Sequence, residues 1–425
     1  MAMPPTPLEP VSEEASDSSH RVTLTPQLRR LFGFIVPVNI AVYLIIGAVP
    51  GVFLPLQVEA IDPANKAANL ALITGIGALA AMIASPIAGL ISDRTRSRFG
   101  RRAPWLVTGA IAIGLSLIGM SVANTIVSLL LAWTIVQIAL NLLISPLTAL
   151  LPDRVPTAIR GSFATLSGIG LMVGALGGQI LGAALASNMS LAYFLLPGIL
   201  LVVITLFVVF SPDPSSADMP REPFSLTGFL GTFWINPIKH PDFFWGFLGR
   251  LLLFTGYFIV TGYQLYILQD YIGLGEGAVA AIPLLGFVSL ICIVIATSFS
   301  GPLSDRLRRR KAFVIGASIL MAAGLLVPWL APTLTGMILS SAVLGFGFGV
   351  YQAVDTALMS EVLPSSGTYA KDLGVLNIAA TLPQTISPFL GGLVVVGLGY
   401  EALFPIGIVL ALLGAAAILP IKAVR

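Results

Sequence analysis

Hydrophobic positions in this chain fall in long uncharged runs rather than on one face of a helix or strand, and the charges between the runs set the number of elements. A bilayer core about 30 Å thick takes about 20 helical residues, so an uncharged run near that length holds one membrane span and one twice as long holds two. Single runs occupy residues 31–58, 67–92, 251–269, 277–304, 373–400 and 402–421. Double runs occupy 103–152, 161–212 and 312–354, each divided near its middle by turn formers: Ala123-Asn124-Thr125, Ser187-Asn188 and Ala331-Pro332-Thr333. The pattern predicts an all-α polytopic membrane protein with twelve transmembrane helices.

Composition agrees. Of 425 residues, 56% are hydrophobic and only 10% charged, against about 25% charged in a soluble domain. Forty-one charges, 22 basic and 19 acidic, cannot clothe a chain of this size in water, so membrane lipid is the expected surroundings. With the N-terminus inside and twelve crossings, every Lys and Arg except Lys66 falls at the cytoplasmic side, where basic residues accumulate. Both termini are then cytoplasmic. The net charge of +3 is a topology signal and calls for no nucleic acid. The first 30 residues carry Pro, Ser and acids without an apolar core, which reads as a disordered cytoplasmic tail rather than a cleavable signal peptide. Cys292 is the single cysteine, and His20 and His240 lie in the tail and the central loop. The spans hold no metal-ligand cluster, Ser/His/Asp set or phosphate loop, so no metal, cofactor or enzymatic activity is expected.

The chain repeats itself. Gly89-Leu-Ile-Ser92-Asp93-Arg94 at the end of span two recurs 212 residues later as Gly301-Pro-Leu-Ser304-Asp305-Arg306 at the end of span eight. Leu151-Pro152 recurs as Leu363-Pro364 at the same offset. The expected organisation is a tail (1–30), a six-helix bundle (31–210), a cytoplasmic linker (211–241) and a second, pseudo-symmetric six-helix bundle (242–425). Within the linker, Ser211-Pro-Asp-Pro-Ser-Ser and Asn236-Pro-Ile-Lys-His-Pro241 read as punctuation. Paired repeats of this kind place a substrate site between the halves near the bilayer midplane, which is a transporter layout.

The segment Gly89 to Trp105, GLISDRTRSRFGRRAPW, resembles the loop between helices two and three of the major facilitator superfamily. On that resemblance Gly89 permits close helix packing and Asp93 faces a neighbouring helix N-terminus. Arg94, Arg98, Arg101 and Arg102 form cytoplasmic ion pairs that break as the halves rock. Gly301, Asp305 and Arg306 are the second copy of this gating motif. The fuller string DRTRSRFGRRAPW, with the blocks Asn141 to Pro156 and Ala370 to Pro388, is similar to the glycoside-pentoside-hexuronide cation symporters and the related sucrose-proton symporters. What this implies is symport of a sugar or glycoside by alternating access, by a monomer in the plasma (inner) membrane. Sodium-coupled sugar carriers of that group use aspartates in helices two and four, which spans 67–92 and 125–151 lack, so the expected coupling ion is a proton. An alternative comes from Gly170-x3-Gly174-Ala-Leu-Gly177-Gly178 in span five, which resembles the glycine motif of proton-coupled drug antiporters with Ala175 where the proline belongs. It implies export of amphipathic small molecules or drugs; the other reading of these glycines is close helix packing.

In the superfamily helices 1, 4, 7 and 10 line the central cavity, so the resemblance places the substrate site on them. Trp133, Gln137 and Asn141 recur every four residues in span four and share one face: an aromatic plate with two amides, suited to a sugar, or else an interhelical hydrogen-bond seam. Span seven offers Tyr257, Thr261 and Gln264, span one Asn39 and Tyr43, and span ten Tyr351 and Gln352. Tyr266 reads as an aromatic at the membrane interface and Asp270 as reaching the outer interface. Asp355 is the one carboxylate clearly inside a span. Arg250 lies nine residues after Pro241 and Asp355 nine before Pro364, at similar depth, which predicts an Arg250/Asp355 ion pair. Proton coupling through Asp355 and a static strut are both open readings of it.

Overall fold

The computed structural model describes residues 25–218, 239–307, 309–362 and 369–422, and within them the side chains other than those of 356, 357 and 360–381. Most of the expected tail and much of the linker therefore lie outside the described residues. Twelve helices follow one another: α1 (Pro26–Ile61), α2 (Lys66–Arg94), α3 (Ala103–Ser121), α4 (Ile126–Arg154), α5 (Arg160–Ala184), α6 (Met189–Phe210), α7 (Pro241–Thr261), α8 (Ala278–Leu307), α9 (Arg310–Leu330), α10 (Leu334–Val362), α11 (Tyr369–Leu398) and α12 (Leu403–Ile418). Eleven are long and apolar enough to cross a membrane; α11 adds a described apolar stretch, Leu382–Leu398. No strand occurs among the described residues.

The turn formers that divide the double runs prove to be helix caps. The Thr125 hydroxyl accepts from Ser128 N–H (3.1 Å) in a capping box, the Asn188 side chain accepts from Leu191 N–H (3.2 Å), and the Thr333 hydroxyl accepts from Gly336 N–H (3.0 Å). Each satisfies a donor at a helix start that hydrocarbon would leave bare.

Two helices depart from the run-length expectation. α1 is continuous but loosens into a π-turn at Val49–Phe53, where Pro50 has no N–H to give. α7 starts at Pro241 and stops at Thr261, earlier than the 251–269 run predicts; a short turn, Gln264–Tyr266, and a second π-turn, Ile267–Tyr271, follow. Charge counting fails here because it treats Arg250 as a boundary, whereas the helix carries Arg250 inside it.

Packing is two-fold repeated. In the first half α1 lies on α5 and α6, α2 and α3 on α4, and α3 on α6. Six helices later the same partners recur: α7 on α11 and α12, α8 and α9 on α10, and α9 on α12. The halves meet along α2 with α11 and along α5 with α8.

The tightest seam joins α1 and α5, and glycine makes it possible. Gly170, Gly174, Gly178 and Gly182 recur every four residues and all are buried. A Cβ would lie 2.8 Å from Val36 O at Gly170 and 2.7 Å from Ile40 O at Gly174, and at Gly178 it would run into Leu44 O. Lipid gives helices no hydrophobic reason to associate, so close backbone approach supplies the van der Waals contact that holds them. The span-five glycines are thus a packing stripe. Gly89 is the opposite case: a Cβ there meets nothing within 4 Å, nor does one at Gly301, so the expectation that Gly89 permits close packing does not hold in this arrangement.

Gly178→Leu should lower stability by about 1–3 kcal/mol or prevent folding, as expected for overpacking. Gly168→Ala on the same helix, where a Cβ meets nothing within 4 Å, should leave the melting temperature in detergent unchanged or slightly raised. Equal tolerance at both positions would refute the stripe.

Candidate functional site

Among the described residues three charged assemblies interrupt the apolar bundle: one at the arginine-rich end, one at the opposite end, and one inside the spans. At the arginine-rich end Arg102, the residue preceding α3 and only 4% exposed, is the hub. Its Nη2 lies 2.5 Å from Asp93 Oδ1 and 2.8 Å from Asp153 Oδ2, its Nε donates to Asp153 Oδ2 (2.9 Å), and its Nη1 donates to the Ser92 hydroxyl. Arg101 Nη2 lies 2.7 Å from Asp153 Oδ1. A guanidinium fork can hold two carboxylates at once, so one side chain ties the ends of α2 and α4 to the start of α3. In the second half Arg310 Nη2 pairs with Asp305 Oδ1 at 2.8 Å. The serines repeat as well: Ser92 donates to Gly89 O (3.0 Å) and Ser304 to Gly301 O (2.9 Å). The start of the linker is more than punctuation. Arg102 N–H donates to Asp213 Oδ2 (2.9 Å), Ser97 N–H donates to the Ser216 hydroxyl (3.1 Å), and that hydroxyl donates to Thr95 O (3.0 Å). Gly100, at φ +86°, turns the backbone so that Asp213 can fit against it.

At the opposite end Lys66 Nζ lies 2.7 Å from Glu59 Oε1 and 2.9 Å from Asp270 Oδ1, and 4.9 Å from the centre of the Tyr266 ring. Gln269 Nε2 donates to Glu59 Oε2 (3.0 Å). Tyr266 is 0% exposed and its hydroxyl donates to Pro55 O (2.8 Å) across the halves, so it is not the interfacial aromatic its position predicts. Burial raises its phenol above the ordinary value, and the Glu59 and Asp270 carboxylates add to this, so it stays a neutral donor. In the turn between α1 and α2, donation from the Asn65 side chain holds the Asp62 carboxyl below the usual range.

Inside the spans Asp355, 2% exposed, sits 3.4 Å (Oδ2) from Arg250 Nε. This is an ion pair without the alignment of a hydrogen bond. Asp355 Oδ1 and the buried Tyr351 hydroxyl lie near each other, also without a hydrogen bond of ordinary geometry. The Arg250 guanidinium carbon is 5.6 Å from the Phe254 ring centre, and an aromatic cluster continues from there. Phe254 meets Tyr351 edge-on (5.6 Å), and Tyr257 stacks on Phe348 (5.1 Å, 25°). Gln352, one residue beyond Tyr351, is exposed, and Gln137 and Asn141 are half-exposed.

The structure sorts the residues named from sequence. Arg250 and Asp355 come together, with Tyr351 and Tyr257 beside them. Tyr43 is half-buried, its Cβ against Gly174. Asn39 is buried, faces Gly170 of α5 and spends its amide on Ile35 O (2.8 Å), so it belongs to the α1/α5 seam. Trp133 is wedged against Gly77 of α2 with its Nε1 unpartnered among the described residues, and is not an open plate. Asn141 gives its amide to Gln137 O (2.9 Å) and Thr261 its hydroxyl to Tyr257 O (3.1 Å). Gln264 lies beyond α7 in the short turn. Sequence reasoning passed over Phe254 and Phe348, although both lie within a turn of a named tyrosine, and over Glu59, Asp153 and Asp213; it named Lys66 and Asp270 without pairing them.

Comparison with known proteins follows the same lines. The family profile described as Major Facilitator Superfamily matches residues 34–369 and again 284–424. The sucrose transport protein SUC4 of Arabidopsis thaliana is 25% identical over 73% of this chain and 74% of its own. The multidrug resistance protein Stp of Mycobacterium tuberculosis is 29% identical over 24% of this chain and 19% of its own. Among solved structures, a mutant of the nucleoside transporter NupG superposes with a TM-score of 0.75 at 14% identity, covering 92% of this chain and 99% of that one.

Because Arg102 is buried and holds two carboxylates, Arg102→Ala should destabilise the folded protein by roughly 3 kcal/mol, as removal of one partner of a buried pair does. Asp213→Ala should cost less, about 1 kcal/mol, the loss of a single hydrogen bond to backbone. Thermal unfolding of the purified variants measures both, and an unchanged midpoint for Arg102→Ala would contradict its role as hub.

Proposed function

The chain belongs to the major facilitator superfamily and is an integral, multi-pass membrane transporter, and from that premise we propose that it carries out proton-coupled symport of a sugar or glycoside by alternating access. The halves 31–210 and 242–425 rock about their shared seams, with the arginine-rich end and both termini on the cytoplasmic side of the plasma (inner) membrane.

The observation that carries the coupling is the Asp355/Arg250 pair. A carboxylate closed off from water is costly when ionised, and the guanidinium 3.4 Å away offsets that cost. The pair lacks hydrogen-bond alignment and Asp355 Oδ1 is unpartnered among the described residues, so a proton has an oxygen to bind. Protonation would cancel the charge that holds Arg250 and let α7 and α10 shift against each other. A static strut would instead be aligned and saturated.

The sugar reading rests on the likeness to a sucrose transport protein and on polar and aromatic side chains of α4, α7 and α10. Tyr257 and Phe348 offer ring faces, and Gln137, Asn141 and Gln352 offer donors and acceptors for hydroxyls. These residues, with Tyr43 and Tyr351, are the substrate contacts; Asn39 and Trp133 act from behind as packing, and Thr261 and Gln264 flank the α7 terminus. The drug-antiport alternative has the short match to the multidrug resistance protein Stp in its favour, while its glycine signature is occupied in packing α1 on α5.

Counterflow in proteoliposomes with labelled mono- and disaccharides tests the substrate class. A saturable sugar signal is expected, with accumulation driven by an imposed proton gradient and not by sodium; exchange of a lipophilic cation alone would overturn the sugar reading in favour of antiport. Asp355→Asn should abolish gradient-driven accumulation, by about 100-fold or more, while counterflow persists. Accumulation retained in that variant would reduce the pair to a strut.

A further inference from the structure

Lys66 is the one basic residue that the charge bias of the loops leaves on the outer side, and its surroundings account for it. Its Nζ is shared by two carboxylates, Glu59 from its own half (2.7 Å) and Asp270 from the other (2.9 Å). Around this bridge two more bonds cross between the halves: Tyr266 hydroxyl to Pro55 O (2.8 Å) and Gln269 Nε2 to Glu59 Oε2 (3.0 Å). Their partners Pro55 and Glu59 follow the π-turn of α1, while Tyr266 and Gln269 lie in the interrupted segment beyond α7. At the arginine-rich end the pairs Arg101–Asp153, Arg102–Asp93, Arg102–Asp153 and Arg310–Asp305, among the described residues, each join residues of a single half.

We infer that Lys66 is a positioning residue for transport: it touches no substrate, and by bridging Glu59 to Asp270 it makes closure of the outer end favourable. The bridge must break each time the protein opens outward. The physical reason is charge balance. Two carboxylates within 2.9 Å of one nitrogen repel each other once that nitrogen is gone, so removing Lys66 converts an attraction between the halves into a repulsion. Its side chain is 15% exposed, which leaves the bridge only partly screened by solvent.

The inference rests on the alternating-access reading, and the test separates the two. Spin labels at Ala64→Cys and Ala331→Cys, both exposed at this end and on opposite halves, in a Cys292→Ser background, report the distance between the halves. In the full-length protein the short distance should dominate. Lys66→Met should raise the long-distance population roughly three- to tenfold, a shift of the size partly buried charge pairs produce. Lys66→Arg should keep the short distance, and Lys66→Met with Asp270→Asn should fall back only to the level of Asp270→Asn alone, because the repulsion is removed while the bridge stays broken. Should Lys66→Met fail to fold, Asp270→Asn alone, at an exposed carboxylate, should still enlarge the long-distance population. Unchanged distances in Lys66→Met or Asp270→Asn, in a protein that still shows counterflow, would overturn the role of Lys66 and leave alternating access standing. A wild-type protein with one fixed distance and no counterflow would overturn both.

Discussion

Hydrocarbon does not tolerate an unpaired charge, and nearly every departure from plain apolar helix in this molecule answers to that constraint. Charges gather at the two ends of the bundle, where they link helices, and the exception inside the spans is a pair. Arg250 and Asp355 lie on helices that touch only lightly, α7 and α10, so their attraction is not submerged in a larger packing surface.

The same constraint explains why the two ends differ. Among the described residues the ion pairs of the arginine-rich end lie within each half, from Arg102 to Asp93 and Asp153 and from Arg310 to Asp305. The Lys66 end is knitted between halves. The two seams, α2 with α11 and α5 with α8, are where the proposed rocking of the halves would take place. The π-turns at Val49–Phe53 and Ile267–Tyr271 lie at the end where the halves touch, and such turns accept a change of register more readily than regular helix does.

The fold was largely legible because lipid imposes one rule on every span: uncharged length counts helices, and a 212-residue offset marks the repeat. The rule breaks where a charge is tolerated by a partner far away in sequence, which is why α7 begins nine residues before Arg250 rather than after it. The candidate site was legible in part. Equal depth from two prolines placed Arg250 beside Asp355, since depth along a helix is arithmetic. Direction around a helix is set by neighbours, so Asn39 turned into the α5 glycines and Trp133 against Gly77. Lys66 stood out in the sequence as a breach of the charge bias, and only three-dimensional proximity shows that it is shared by Glu59 and Asp270.

The glycines divide into two groups with different visibility to experiment. Gly178 is enclosed by α1 backbone, whereas Gly89 and Gly301 open onto empty space. Alanine at the latter two would strengthen the helix by up to about 1 kcal/mol in this arrangement. A directed-evolution campaign that selects for heat-resistant protein would therefore accumulate changes at Gly89 and Gly301 as harmless gains. On the proposed alternating access, a selection that requires repeated turnover passes the chain through further arrangements and would rank these positions differently.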